Sequence, residues 1–345
     1  MILNRLGTSG LQVSRIGLGM MSYGSSRFQS WVLPPADGVR FVRLALDRGI
    51  NFFDTADFYS LGQSEETLGR AVASLTERAN VVIATKVGMP AGPGPNDRGL
   101  SRKHIMAGVD ASLRRLKTDY IDLYQLHNPD PQTPIEETID AMGDVVRAGK
   151  ALYIGASNYP AWELALANQS AMQMHPGLRF VSTQMEYNLT FREEERETVP
   201  MCISQGIGAL AYSPLARGWL AGNRLKPRQL TKREKGRAAG DMKAKANYGS
   251  EHDRRIAQRL AEVALKRGVP PARVALAWLL SRPYVSSIIC GVLEPSHLDE
   301  AVAATELKLS AGEIIALEEL YEPQRPKDIH APITTSGKRP DGAPA

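Results

Sequence analysis

The chain has 345 residues, 43% hydrophobic and 23% charged, enough core for one large barrel or two ordinary domains, and a profile that argues against wholesale disorder. A net charge of +5 does not indicate a nucleic-acid-binding face, because much of the basic excess sits within residues 224–245. Two cysteines without CxxC spacing, Cys202 and Cys290, suggest neither a disulfide framework nor a metal site; with no leader pattern and no membrane-length apolar run, a reduced cytoplasmic setting is expected, with no membrane partner.

Residues 3–14 read as a hairpin around Gly7-Thr8-Ser9-Gly10, closing the bottom of something larger. Short apolar strands then alternate with helices. The predicted strands are residues 16–20, 50–54, 81–86, 121–127, 151–156, 180–185, 207–212 and 285–289. Predicted helices cover 38–47, 64–75, 101–116, 133–148, 160–172 and 193–204. The helix at 64–75 follows a Gly62 break and opens on a capping-type run, Ser64-Glu65-Glu66-Thr67. Eight apolar runs in this alternation predict a single (β/α)8 barrel over residues 1–322, followed by a Pro-rich tail at 323–345. The exception is 215–250, rich in Lys, Arg and Gly and too long for an ordinary connection, which reads as a lid or a disordered loop. Helices at 253–267 and 271–281 follow it, and two more, 295–305 and 310–321, follow the eighth strand.

The residues that end these strands carry the chemistry. Asp54 and Tyr59 follow the second strand, Lys86 ends the third, His127 the fourth, Ser157 and Asn158 the fifth, Gln184 the sixth, and Tyr212 with Ser213 the seventh. Each has a bland reading as a strand end, a satisfied histidine or loop packing. Together they place polar groups on the one rim where a barrel of this kind holds its active site.

Here the chain resembles the aldo-keto reductase superfamily. The resemblance is carried by NFFDTADFYSLGQSEETLGRA (51–71), ATKVG (84–88), LRRLKTDYIDLYQLH (113–127), IGASNY (154–159), QMEYNL (184–189) and YSPLARGWLAG (212–222). Within the superfamily it is most similar to the bacterial reductases related to potassium-channel β-subunits. The resemblance implies reduction of aldehydes or ketones of moderate size by an NADP(H)-dependent enzyme, with a catalytic tetrad of Asp54, Tyr59, Lys86 and His127. A free tyrosine is a weak acid at neutral pH, so Lys86 is expected to lower the pKa of Tyr59, with Asp54 anchoring Lys86 and His127 orienting the carbonyl. Asp57 is left to hydrogen bonding within the loop.

The implied dinucleotide site comprises Gly19, Met20 and Met21 at the first strand's end, and Ser157, Asn158 and Gln184 for the nicotinamide carboxamide, beside Asp54. Tyr212 stacks on the ring, and Ser213, Pro214, Leu215, Arg217 and Gly218 border the pyrophosphate. At the adenine end the resemblance implies Gly291, Leu293, Glu294, His297 and Glu300. Glu294 departs from the family there, standing where a cation usually meets the 2′-phosphate, so NAD(H) is the alternative cofactor unless Lys226, Arg228 or other basic loop residues supply the counter-charge. Phe58, Met21, Trp31, Tyr187 and Trp219 are expected to shape the substrate pocket. Two other functions compete. A cofactor-sensing regulatory subunit of the channel type is disfavoured by His127, which such subunits typically lack; a Schiff-base lyase using Lys86 is disfavoured by Asp54 and Tyr59 at family spacing. Oligomeric state stays open, a homo-oligomer among the options.

Overall fold

The structure, a computed structural model, describes residues 1–222 and 230–324. A small antiparallel hairpin, β1 (Leu3–Arg5) and β2 (Gln12–Ser14), precedes the alternation β3 (Ile16–Gly19), α1 (Pro35–Asp47), β4 (Phe52–Asp54), α2 (Gln63–Leu75), β5 (Val82–Val87), α3 (Arg102–Leu116), β6 (Ile121–Leu126) and α4 (Ile135–Arg147). It continues through β7 (Ala151–Ser157), α5 (Ala161–Met174), β8 (Phe180–Glu186), α6 (Thr198–Gln205) and β9 (Gly208–Tyr212). Four helices follow, α7 (Lys232–Gly240), α8 (Met242–Asn247), α9 (Glu251–Arg267) and α10 (Pro271–Leu280), then β10 (Val285–Cys290), α11 (Pro295–Ala304) and α12 (Ala311–Glu318).

Strands β3 to β10 are parallel and form a closed barrel, sealed where Ile288 of β10 pairs with Ile16 of β3. Every residue of β5, β6, β8 and β10 is buried, as expected for strands covered on both faces, including the polar Lys86, Gln125 and Gln184 that interrupt their apolar sequence. The hairpin plugs the lower end. Its Leu6 and Val13 pack with Phe52, Leu123, Val181 and Leu210 in the barrel interior, each fully buried side chain contributing about 1.5–3 kcal/mol. Gly7 lets the hairpin approach: a Cβ there, at φ +58°, would lie 2.3 Å from the Gly206 carbonyl oxygen.

Two local readings change. Ser64 does not cap α2; Gly62 occupies the N-cap at φ +89°, and the Ser64 hydroxyl instead accepts from Thr55 Oγ1 and donates to the Met20 carbonyl, each at 2.9 Å. This ties the loop after β4 to the end of β3. The second change is in 215–250, whose described part is helical and capped. Thr231 and Glu234 form a capping box on α7, and Asp241 caps α8 through the Ala244 N–H. Neither is a structureless loop. Among the described residues no helix is long and apolar enough to cross a membrane.

Candidate active site

The strand ends converge on a cavity of about 590 Å³ at the C-terminal rim. Register does much of the positioning: Asp54 pairs with Ala84 and with Gly19, and Lys86 pairs with Gln125, so successive strands bring the four tetrad residues to one sector. Lys86 is fully buried beneath the cavity floor; its Nζ donates to Asp54 Oδ1 at 2.7 Å and to the Thr55 carbonyl at 2.8 Å. The same ammonium lies 5.0 Å from the centre of the Tyr59 ring. His127 meets Tyr59 edge-on, ring centres 5.7 Å apart at 84°. The second oxygen of Asp54 accepts from the Gln184 amide at 2.7 Å and from the Gln125 amide at 3.4 Å, so the carboxylate is held from both sides.

Burial and charge set the protonation states. For Lys86, burial pushes the pKa down, but Asp54 and Tyr59 together outweigh it and hold the pKa above its ordinary value. Burial pushes the Tyr59 phenol up; Lys86 pulls the other way without reversing it. The expected lowering by Lys86 is therefore one contribution, and the net direction is upward. His127 is driven well below the ordinary histidine range by burial and then by Lys86 and Lys243, which leaves a neutral imidazole. Its buried Nδ1 has no hydrogen-bond partner among the described residues.

The other sequence-predicted residues gather on the same cavity, with exceptions. Gly19, Met21, Ser157, Asn158, Gln184, Tyr212, Ser213, Pro214, Leu215, Arg217, Gly218, Gly291, Leu293, Glu294, His297 and Glu300 line it, with Asp54, Tyr59 and His127. Met20 is not among the lining residues; it is fully buried and engaged through its carbonyl with Ser64. Of the expected pocket-shaping residues Met21, Trp31 and Phe58 line the cavity, but Tyr187 is buried on hydrogen bonds to Glu195 and Tyr284, and Trp219 lies elsewhere. Lys226 and Arg228 lie outside the described residues.

The amide cluster is pre-organised. Asn158, held at φ +61°, donates to the His127 carbonyl at 3.0 Å and to Asn128 Oδ1 at 2.8 Å, and accepts from the Tyr212 hydroxyl at 2.9 Å. Ser157 donates to the Gln184 carbonyl at 3.0 Å. These hydroxyl and amide groups beside the Tyr212 ring suit a carboxamide-bearing aromatic ring. Arg217 is paired with the buried Asp241 at 2.8 and 3.0 Å, and the Lys243 ammonium lies 5.5 Å over the Tyr212 ring, so both basic groups border the same part of the cavity.

The end of the cavity at Gly291 to Glu300, expected from the sequence to take adenine, also holds residues of α7 that the sequence does not single out. Helix α7 lies across the loop after β10. Arg233 donates to the Leu293 carbonyl and to Asp37, both at 3.0 Å; His297 Nε2 meets Glu234 at 3.1 Å; and the Arg237 guanidinium, 4.4 Å over the Trp31 ring, sits where a Cβ on Gly291 would come within 3.7 Å of it. The legible signal was Thr231-Lys-Arg-Glu234, a capping box that opens a helix. Glu300 is turned to Arg273 at 2.8 and 3.0 Å.

Residues 15–322 match the Aldo/keto reductase family. The chain is 42% identical to the versiconal hemiacetal acetate reductase of Aspergillus parasiticus, covering 94% of this chain and 98% of that one. It is 38% identical to a putative aryl-alcohol dehydrogenase of Saccharomyces cerevisiae, over 93% and 97% of the two chains. A probable voltage-gated potassium channel subunit beta of Arabidopsis thaliana is 37% identical over 88% and 90%.

Proposed function

The chain belongs to the aldo/keto reductase family and is an NAD(P)-dependent oxidoreductase, and from that premise we propose that it reduces aldehydes and ketones to alcohols, with Tyr59 as the proton donor. The observation that carries this reading is Lys86, locked to Asp54 at 2.7 Å and placed 5.0 Å from the Tyr59 ring on the cavity floor. When bound, a reduced nicotinamide supplies the hydride. Tyr59 delivers its proton to the carbonyl oxygen as that oxygen gains negative charge, and Lys86 stabilises the phenolate left behind. The neutral imidazole of His127 orients the carbonyl by hydrogen bonding. Because burial keeps the Tyr59 phenol protonated, reduction is favoured at neutral pH, while alcohol oxidation, which needs the phenolate, gains as pH rises.

Met21, Trp31, Phe58 and Met89 give the cavity apolar and aromatic walls, so aromatic carbonyls are the class favoured. The Saccharomyces cerevisiae relative carries the name putative aryl-alcohol dehydrogenase, which is in keeping with that choice. A panel of aromatic, aliphatic and sugar carbonyls, followed by cofactor absorbance, tests it; turnover of aryl aldehydes is expected to lead, and preference for sugars would count against the assignment. His127 and the intact tetrad support turnover over a purely cofactor-sensing role. A cytoplasmic setting suits two free thiols that burial raises to about 12 and so makes inert.

For the cofactor we favour NADP(H). Glu294 offers no cation, but Arg233 and Arg237 of α7 reach the Gly291–Leu293 end of the cavity and can take a phosphate's charge. Equilibrium titration by protein fluorescence should show NADPH binding more tightly than NADH. Arg237→Met is expected to weaken NADPH binding by about 1.5–3 kcal/mol with little effect on NADH. Equal losses for both nucleotides would contradict a phosphate role.

A further inference from the structure

Asp57 stands two residues before Tyr59 and takes no part in the reaction as proposed. It is 2% exposed, and neither carboxyl oxygen has a hydrogen-bond partner among the described residues, so the expected loop hydrogen bonding by its side chain is not found. Its backbone N–H donates to the Lys86 carbonyl at 3.2 Å, which fixes it behind the catalytic lysine. Beyond the Tyr59 turn, Glu65 of α2 is fully buried, accepting from Thr85 Oγ1 at 2.5 Å and from Arg115 Nε of α3 at 2.6 Å. The Arg115 stem fills the space beside Gly62, where a Cβ would meet its Cδ at 2.5 Å. The Tyr124 hydroxyl of β6 is also buried without a hydrogen-bond partner among the described residues, and Asp57 and Glu65 are acids that face it.

The charges around this loop do not balance if every group is ionised. Lys86 is held by Asp54 and Arg115 by Glu65, so Asp57 is a third buried carboxyl with no cation of its own among the described residues. A buried carboxylate in that position is too costly to keep unless it binds a proton. We infer that Asp57 is a neutral carboxylic acid and the positioning residue for Tyr59, and that loss of its proton shuts down carbonyl reduction. The positioning role rests on the reductase reading of the site.

The groups facing Asp57 are Glu65 from α2, Arg115 from α3, Lys86 from β5 and Tyr124 from β6. Burial first, then Glu65, raises its pKa to about 8 against the opposing pulls of the Phe58 amide, Arg115 and Lys86; that amide falls short of hydrogen-bond geometry. Ionised, Asp57 repels Glu65 across the turn that carries Tyr59. It also offsets the field of Lys86 at the phenol, which makes Tyr59 a weaker acid.

The test is the pH profile of kcat with NADPH and an aryl aldehyde, alongside melting temperature, for wild type, Asp57→Asn and Asp57→Ala. Wild-type kcat should fall as pH rises through about 8. Asp57→Asn, whose amide imitates the neutral acid and cannot ionise, should rescue neutral-pH turnover and carry it to higher pH. Asp57→Ala should lose on the order of 10²-fold in kcat with NADPH affinity kept, as a misplaced proton donor does. Because the folded pKa lies above the unfolded 3.8, the wild type loses stability relative to Asp57→Asn from about pH 4 until about pH 8, and the melting difference then levels off. Coincident alkaline limbs for wild type and Asp57→Asn, an Asp57→Asn protein inactive at neutral pH, or a melting difference independent of pH would each overturn the inference. Absence of carbonyl turnover in the wild type would overturn the reductase reading and the positioning role, leaving the neutral acid to be judged by melting alone.

Discussion

Tyr59→Phe is expected to lower kcat for carbonyl reduction by about 10²–10⁴-fold, the usual contribution of a positioned proton donor, while leaving NADPH affinity and folding nearly unchanged. The ring keeps its edge contact with His127 and its place over Lys86, so the substitution removes the acid and little else. Asp54 still holds Lys86, and the Gln184 amide still holds Asp54, so the floor of the site does not rearrange. Stopped-flow measurement of cofactor oxidation, with binding followed separately by fluorescence, distinguishes lost chemistry from lost binding. Ordinary turnover by Tyr59→Phe would remove Tyr59 from the mechanism.

Lys86→Met is expected to abolish turnover and also to destabilise the barrel, by about 3–5 kcal/mol, because it strands Asp54 as a buried anion. Two amides remain to bond the stranded carboxylate, from Gln184 and more weakly from Gln125, and neither neutralises its charge. Adding Asp54→Asn removes that charge and should restore much of the lost stability without restoring activity. Urea denaturation of wild type, the single variant and the double variant measures this directly. The dependence on pH follows from the raised Lys86 pKa: its contribution is fully present below the ordinary lysine value of 10.5 and is lost only as pH rises through the higher folded value. Neutral and mildly alkaline pH should therefore not weaken the Lys86–Asp54 pair. A Lys86→Met protein as stable as wild type would show that Asp54 finds another partner.

Much of this site is readable in the residues themselves because barrel strands are covered on both faces and end at one rim. Asp54, Lys86, His127 and Gln184 interrupt or follow apolar runs, and polar groups in such places stand out. Helix α7 was not readable in that way. None of its residues is buried, so it has no apolar stripe; it is held by the Thr231 capping box, by Arg233 on Asp37 and Leu293, and by Glu234 on His297. A helix held by ion pairs leaves apolar periodicity silent, and Arg237 and Lys243 were missed with it. Ser64 misled for a different reason: its hydroxyl is used across the chain, on Thr55 and Met20, and not on its own helix. Asp57 looked like an ordinary loop acid since nothing in its neighbours along the chain announces burial beside Glu65.

The most direct measurement is label transfer. Reduced cofactor carrying deuterium at both C4 positions of the nicotinamide is incubated with the protein and an aryl aldehyde, and the alcohol is examined by mass spectrometry. Hydride transfer with Tyr59 as the acid puts deuterium on the carbinol carbon with wild type and leaves only background labelling with Tyr59→Phe. Alcohol formed without deuterium, or transfer by Tyr59→Phe at the wild-type rate, would contradict it.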